Sequence, residues 1–314
     1  MIDIREHGIG VGKRNPFLVV GGNNLLELRN CYATEKYFYV DEYSGVSSGY
    51  VKKYDRDFNL IATLTLKGEK YFRDDFLINT DAGRMTKIRL DDFSTISSVF
   101  VGDEITGLSF DYDGGITIST FRSGSTVRRY TQKYNSSLAV LPGTPTRNME
   151  DVLSGLESDN TFFYDFYNGG GAIVKRKFPE GTEILRINAL GAFLTTTSTP
   201  QYIFALRRTT SSATFEKINA ATGTVEVLET FPVAKFLALA NFFHGVSAVV
   251  GNKVLFFSHA FPGLKIYDVA GRELSYHPEI NNRIVNTTVK GNMISAVHAR
   301  EVDKYGYFFT LKII

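Results

Sequence analysis

An all-β chain assembled from copies of one four-stranded unit is the expectation for these 314 residues. Composition carries part of it. Aromatic residues are 13% of the chain, with 25 Phe, 17 Tyr and no Trp, and 28 Gly accompany them. That mixture favours strands separated by tight turns. Periodicity carries the rest. A short turn, a strand with apolar anchors, a polar turn and a second apolar strand recur along the chain.

The six copies run from Tyr50 to Leu64, Met85 to Ile96, Val127 to Leu138, Ile173 to Ile184, Phe215 to Val225 and Leu264 to Leu274. Taking Tyr54, Ile88, Tyr130, Arg176, Ile218 and Tyr267 as equivalent gives spacings of 34, 42, 46, 42 and 49 residues. A four-stranded propeller blade occupies ~40–50 residues, whereas a parallel β-helix or leucine-rich repeat needs a much shorter period. Each copy follows a hairpin signal: Ser44 to Gly49, Asp81 to Gly83, Ser123-Gly124, Asn168 to Gly171, Thr209 to Ser212 and Pro262-Gly263. Glycine and small polar residues supply the reversals that hairpins need.

Upstream of those turns lie apolar strands at Tyr37 to Val40, Ile116 to Phe121, Thr161 to Tyr164, Tyr202 to Leu206 and Val254 to Phe257. A further strand precedes several of them, as at Leu25 to Arg29 and Ile105 to Phe110, which makes four per unit. The tail adds three strands, Arg283 to Val289, Met293 to Ala299 and Tyr307 to Ile314. Its fourth strand is expected from the N-terminal segment, with Phe17-Leu-Val-Val20 as the candidate. The result is one β-propeller domain over residues 1–314, of seven four-stranded blades, closed by N- and C-terminal strands. Six or eight blades also fit these boundaries. Phe236 to Phe243, inside Val233 to Val250, reads as a strand with a long loop, with a short helix as the alternative.

The repeat resembles β-propeller proteins over nearly the full length, by period. The turns Tyr54-Asp-Arg-Asp-Phe-Asn-Leu60 and Tyr267-Asp-Val-Ala-Gly-Arg-Glu-Leu274 resemble propeller repeats of bacterial surface proteins and phage tail proteins. The chain departs from the WD-repeat type, having no Trp and no repeated Gly-His…Trp-Asp pair. It also lacks the repeated patterns of quinoprotein dehydrogenases and sialidases. The resemblance implies a fold and a setting, and assigns no residue a role.

Charge narrows the partners. Lys plus Arg is 35 and Asp plus Glu is 33, without the basic excess that duplex binding needs, so nucleic acid is not expected. Cys31 is the single cysteine, which excludes an intramolecular disulfide and a cysteine zinc site. The N-terminus has no basic stretch followed by an apolar one, so no signal peptide is expected, and no apolar run is long enough to span a bilayer.

Each candidate site competes with a plain structural role. Asp111-Tyr-Asp-Gly-Gly115 has the alternating carboxylates of a calcium loop, but reads better as a hairpin turn. The basic runs Lys52-Lys53, Arg128-Arg129, Lys175-Arg176-Lys177 and Arg207-Arg208 suggest a ring for an anionic polymer. Solvated residues on outer strands are the preferred reading, with three of the four at equivalent third-strand sites. His7, His244, His259, His277 and His298 show no helical metal spacing. Gly8 to Gly12 and Gly169 to Gly171 read as turns, and Asp74-Asp75 and Asp91-Asp92 as loop or rim residues. Tyr43, Tyr50, Tyr112 and Tyr167 could stack on sugars, but core or rim packing is preferred.

No catalytic, cofactor or metal residue is therefore assigned. The expected function is a non-enzymatic binding or structural propeller, a phage or viral tail or fibre component that contacts other virion proteins or a host surface. Its expected location is the virion or the cytoplasm. The alternatives are an enzyme acting on a carbohydrate or small ligand in the central channel, and a cytoplasmic protein-interaction scaffold.

Overall fold

The computed structural model describes residues 5–6, 27–43, 49–57, 59–122, 128–143, 146–148, 156–167, 172–188, 192–232, 245–258, 264–277, 284–290, 293–299 and 306–312. In chain order the strands are β1 (Arg5–Glu6), β2 (Glu27–Ala33), β3 (Phe38–Tyr43), β4 (Gly49–Tyr54) and β5 (Leu60–Leu66). Then come β6 (Glu69–Arg73), β7 (Phe76–Asp81), β8 (Arg84–Arg89), β9 (Thr95–Phe100), β10 (Glu104–Phe110), β11 (Ile116–Arg122), β12 (Arg128–Tyr134) and β13 (Thr146–Asn148). The next seven are β14 (Phe162–Tyr167), β15 (Ala172–Lys177), β16 (Glu183–Asn188), β17 (Ala192–Ser198), β18 (Tyr202–Arg208), β19 (Ser212–Asn219) and β20 (Val225–Pro232). The last are β21 (Gly245–Val250), β22 (Lys253–Ser258), β23 (Leu264–Asp268), β24 (Glu273–His277), β25 (Ile284–Lys290), β26 (Met293–Ala299) and β27 (Gly306–Lys312).

Among the described residues these form seven sheets, six of four strands and one of three. Six follow chain order: β2 to β5, β6 to β9, β10 to β13, β14 to β16, β17 to β20 and β21 to β24. The seventh has the order β1-β27-β26-β25. Arg5 pairs with Lys312 and Glu6 with Leu311, so the N-terminal segment does complete the tail sheet. The strand expected at Phe17 to Val20 lies outside the described residues, as does residue range 233–244, where the helix alternative fell. Gly245–Val250 is a strand.

The sheets repeat in their irregularities as well as their strands. Bulges interrupt the first–second strand pairing at Leu28/Asn30, Ile105/Gly107, Phe193/Thr195 and Ile284/Asn286. A bulge adds one unpaired residue and increases local twist. Finding it in the same strand pair of four sheets marks them as copies of one unit.

The third-to-fourth strand hairpin fixes the phase of the repeat. A backbone bond closes it in six sheets: Asp55 to Asn59, Arg89 to Ser94, Asn135 to Ala139, Lys177 to Thr182, Asn219 to Thr224 and Asp268 to Arg272. The residues just before these donors are Tyr54, Ile88, Tyr134, Arg176, Ile218 and Tyr267. Tyr130, the anchor expected from sequence, is thus four residues out of phase. Two tyrosines in one strand fit the pattern equally well, and the Asn135 turn decides for Tyr134. Burial pushes the phenols of Tyr54 and Tyr134 alike up to about 12, as expected for equivalent sites.

These hairpins require one left-handed residue. Gly181, Gly223 and Gly271 fill it at φ of 70°, 74° and 94°, and Phe93 and Leu138 fill it at 57° and 66°. Glycine adopts that conformation freely; in other residues it costs about 1–2 kcal/mol. Burial offsets this for Leu138, and Phe93 lies edge-on to Tyr39 with ring centroids 6.2 Å apart. Asp55, Asn135, Asn219 and Asp268 open their turns by accepting backbone N–H bonds on a side-chain oxygen.

The chain divides into two compact units, the first comprising Met1–Asn79, Arg89–Ser94 and Leu239–Ile314, the second Thr80–Ile88 and Thr95–Ala238. In the first unit β2 lies against β25, β26 and β27, while β25 also meets β21 and β6. First strands of successive sheets therefore sit side by side. In the second unit the sheet β14 to β16 packs on β17 to β20 through Tyr164, Ile173, Ile187, Ile203, Ala205 and Ile218. Burying each large aliphatic side chain contributes about 1.5–3 kcal/mol.

Candidate functional site

Phasing on the hairpin reveals a column of lysines. The residue before each anchor is Lys53, Lys87, Lys133, Lys175 and Lys217 in five successive sheets. The basic runs picked out in the sequence include only Lys53 and Lys175 of these. Arg128-Arg129 open β12 instead, and Arg207-Arg208 end a second strand, so the expected three-fold equivalence does not hold.

The column is not a solvated rim either. A fourth strand flanks each third strand, and the lysines reach sideways. Lys53 is buried, donates to the Asp91 carbonyl in the next hairpin and lies 3.7 Å from the Tyr37 ring centroid. Lys87 donates to the Ser136 carbonyl at 2.7 Å, again in the next hairpin. Lys133 lies 5.7 Å from the ring of Phe178, in the hairpin after that. Lys175 sits 3.9 Å over Phe162, and burial pushes its ammonium below the usual range. Lys217 pairs with Glu226 at 2.5 Å across β19 and β20. Cation–π contact and carbonyl bonding keep these cations solvated by protein.

Lys133 is the most enclosed. Its Nζ donates to Asp111 Oδ2 at 3.2 Å and to Thr117 Oγ1, and Thr117 donates to Asp111 Oδ1 at 2.7 Å. Burial pushes the Asp111 carboxyl up and the Lys133 ammonium down, and the mutual attraction opposes both shifts. Asp111 therefore points inward, while Asp113 Oδ1 accepts the Gly115 N–H at 3.1 Å. The two carboxylates considered as a calcium loop serve the turn and the ion pair.

A second recurring arrangement is a diagonal ion pair between second and third strands. Glu42 is opposite Tyr50, and its carboxylate reaches Lys52, two residues on, at 2.8 Å. Asp165 is opposite Val174 and reaches Arg176, two residues on, at 2.9 Å. Arg207 is opposite Thr214 and reaches Glu216, two residues on, at 2.9 and 3.0 Å. The last pair has the charges exchanged. Asp41 pairs with Lys70 at 3.0 Å, and both are buried. A Cβ on Gly49 would lie 2.5 Å from that Lys70 Nζ and 2.9 Å from the Glu42 backbone carbonyl oxygen, and the fixed carbonyl is what demands glycine there.

The remaining sequence candidates are dispersed. His277 Nε2 lies 3.0 Å from Ser275 Oγ on β24. His298 lies on β26, and His7, His244 and His259 lie outside the described residues, as do Gly8 to Gly12 and Gly169 to Gly171. Asp74 and Asp75 are exposed in the β6–β7 turn, where their carbonyls accept bonds from Tyr32 and Leu90. Asp91 and Asp92 are exposed in the β8–β9 turn. Tyr50 is half-buried on β4, and Tyr112 is half-buried with its hydroxyl donating to Ser198 at 3.1 Å. Tyr43 and Tyr167 end β3 and β14. Cys31 is buried, and burial pushes its thiol far up. Among the described residues, no group of three or more His, Cys, Asp or Glu could hold a metal ion, and no helix is long and apolar enough to cross a membrane.

Sequence reasoning missed Lys70, Lys133, Glu42, Asp165 and Glu216. The signal that exposes Lys133 is the lysine column, legible only once the third repeat is shifted by four residues.

No family model matches the chain, and no curated protein sequence matches it. Solved structures do. The WD40 domain of Neurospora crassa Pan2 aligns with a TM-score of 0.57 at 10% identity, covering 89% of this chain and 86% of that one. The computationally designed Ika8 protein aligns with a TM-score of 0.54 at 11% identity, covering 90% and 83%. BamB from Moraxella catarrhalis aligns with a TM-score of 0.44 at 12% identity, covering 88% and 82%. With the repeated antiparallel sheets, the likeness to the WD40 domain makes this chain a generic β-propeller repeat protein.

Proposed function

We propose that this chain is a non-enzymatic binding and structural module: a single closed propeller of seven blades over residues 1–314. Its proposed setting is a phage or other viral particle, as a tail or fibre component that contacts neighbouring proteins or a host surface. Its location is then the virion, or the cytoplasm in which particles assemble.

One observation carries the non-enzymatic reading. The buried charges Asp41, Glu42, Asp111, Asp165 and Glu216 are each matched to a lysine or arginine of the sheet framework. An acid–base catalyst needs a titratable group facing substrate. These groups face each other, which suits a rigid scaffold whose loops meet a partner. The viral setting is supported by the turn wording around Tyr54 and Tyr267.

Mass spectrometry of purified particles tests the setting, with peptides of this chain expected at structural stoichiometry. Their absence from particles contradicts it. Affinity capture with the full chain tests the binding reading, and a named virion or surface protein is the expected catch.

A further inference from the structure

The ion pairs described above do not account for the basic run Arg128-Arg129. Register places it among further arginines. Arg122, the last residue of β11, is the Cα partner of Arg128, the first of β12. Arg147 on β13 is the partner of Tyr130, which makes it diagonal to Arg128. Cross-strand partners, and residues two apart on one strand, share a face. Arg122, Arg128 and Arg147 therefore fall on one face at one end of the sheet β10 to β13. Directly opposite positions are ~5 Å apart and diagonal ones ~7–8 Å. The neighbouring positions on that face are Thr120, Tyr130 and Ile105, so the strands supply no acid there. Glu104 is opposite Phe121, which is opposite Arg129, so this acid belongs to the other face. Asp103, just before β10, is one acid against three arginines.

Like charges set directly opposite destabilise a ladder, and the blade does not require them. The pair that closes the second and third strands is Tyr43–Gly49, Tyr167–Ala172, Arg208–Ala213 and Phe257–Leu264 in four other sheets. A local rule broken in one copy of a repeat points to a functional position. We infer that this end of the sheet is an anion site, at which Arg122, Arg128 and Arg147 bind a small ligand carrying two or more clustered phosphate groups. The guanidinium fork matches phosphate oxygens two at a time. Three cations within one diagonal call for more than one phosphate. In a chain whose formal charge is only +2, a single patch is too small to track a duplex, which favours a small ligand over nucleic acid. The site does not depend on the viral setting proposed above, and either can fail without the other.

Calorimetric titration of the full chain with inorganic tripolyphosphate at low ionic strength tests the inference. The wild type is expected to bind saturably, more weakly as salt is added, and to unfold at a higher temperature with the anion present. Arg122→Thr with Arg128→Thr is expected to lower the affinity at least about tenfold, and to unfold without the anion no earlier than the wild type, because the opposed charges are gone. Arg122→Lys, which keeps the charge and loses the fork, is expected to fall between the two. Arg129→Thr, on the other face, is expected to bind as the wild type does. A wild type that does not bind overturns the inference, as it must if Glu150 or Asp151, outside the described residues, neutralises the arginines instead. So does binding that survives the double substitution, or that Arg129→Thr weakens equally.

Discussion

Lys133 donates to Asp111 across 3.2 Å, and neither side chain is exposed to solvent. Thr117 bonds to both, so the charges are buried as a closed set. Removing one member leaves the other stranded, which costs about 3–5 kcal/mol in a protein interior. Lys133→Met alone is expected to destabilise by that amount in urea unfolding at neutral pH. Adding Asp111→Leu is expected to recover most of the loss, because the pair then vanishes together. A double variant no better than the single would show that the pair is not the source of the cost.

The exchanged ion pair gives a second prediction. Glu42–Lys52 and Arg207–Glu216 occupy the same diagonal with opposite polarity. Polarity is therefore not fixed by the blade. Arg207→Glu is expected to destabilise by about 3 kcal/mol, since Glu216 is buried and would face a like charge. Arg207→Glu with Glu216→Arg is expected to return at least half of it. Equilibrium urea unfolding of the three variants measures this.

Space and backbone conformation separate at two glycines. Gly223 has φ of +74°, and a Cβ there would lie 3.2 Å from Leu185 Cδ1. Gly251 has φ of +58°, and a Cβ there would meet nothing within 4 Å. Gly251→Ala is expected to cost the conformational penalty alone, about 1 kcal/mol. Gly223→Ala is expected to cost more, about 2 kcal/mol, because the neighbouring sheet must also give way. Thermal unfolding of both variants ranks them.

Acid sensitivity resides partly in the hairpins. Hydrogen bonds from Asn59 hold the Asp55 carboxyl below its ordinary value, and the Arg272 backbone N–H does the same for Asp268. A carboxyl lowered in the folded state contributes stability above its unfolded value, near pH ~4, and loses it as pH falls through the folded value. Asn135 and Asn219 open the same turn without titrating. Asp55→Asn with Asp268→Asn is therefore expected to flatten the fall in urea midpoint below about pH 4. An unchanged slope would remove these turns from the acid response.

The repeat was legible because hairpins need Gly, Asn or Asp at fixed places and strands need apolar anchors. The expected strand from Met293 to Ala299 matches β26, and Ile105 to Phe110 falls within β10. Phase was less legible. Tyr130 and Tyr134 are chemically alike, and only the backbone bond from Asn135 to Ala139 distinguishes them. Charge was read least well. Lysine looks the same in a sequence whether it meets water, as expected for Lys53, or a carbonyl and a ring, as found. The acids that complete the buried pairs lie 9 to 29 residues from their partners, from Arg207–Glu216 to Asp41–Lys70. No short motif joins them.

The proposed closure into a ring requires the first and last strands to share one sheet, as β1 and β27 do. Arg5 and Lys312 are Cα partners across an antiparallel pair, close enough for a disulfide. With Cys31→Ser as the background, the Arg5→Cys, Lys312→Cys variant is the direct test, read by non-reducing electrophoresis and peptide mapping. The expected result is an intramolecular crosslink between positions 5 and 312 in the folded monomer, cleaved by reductant. Two free thiols in folded protein under oxidising conditions would contradict it.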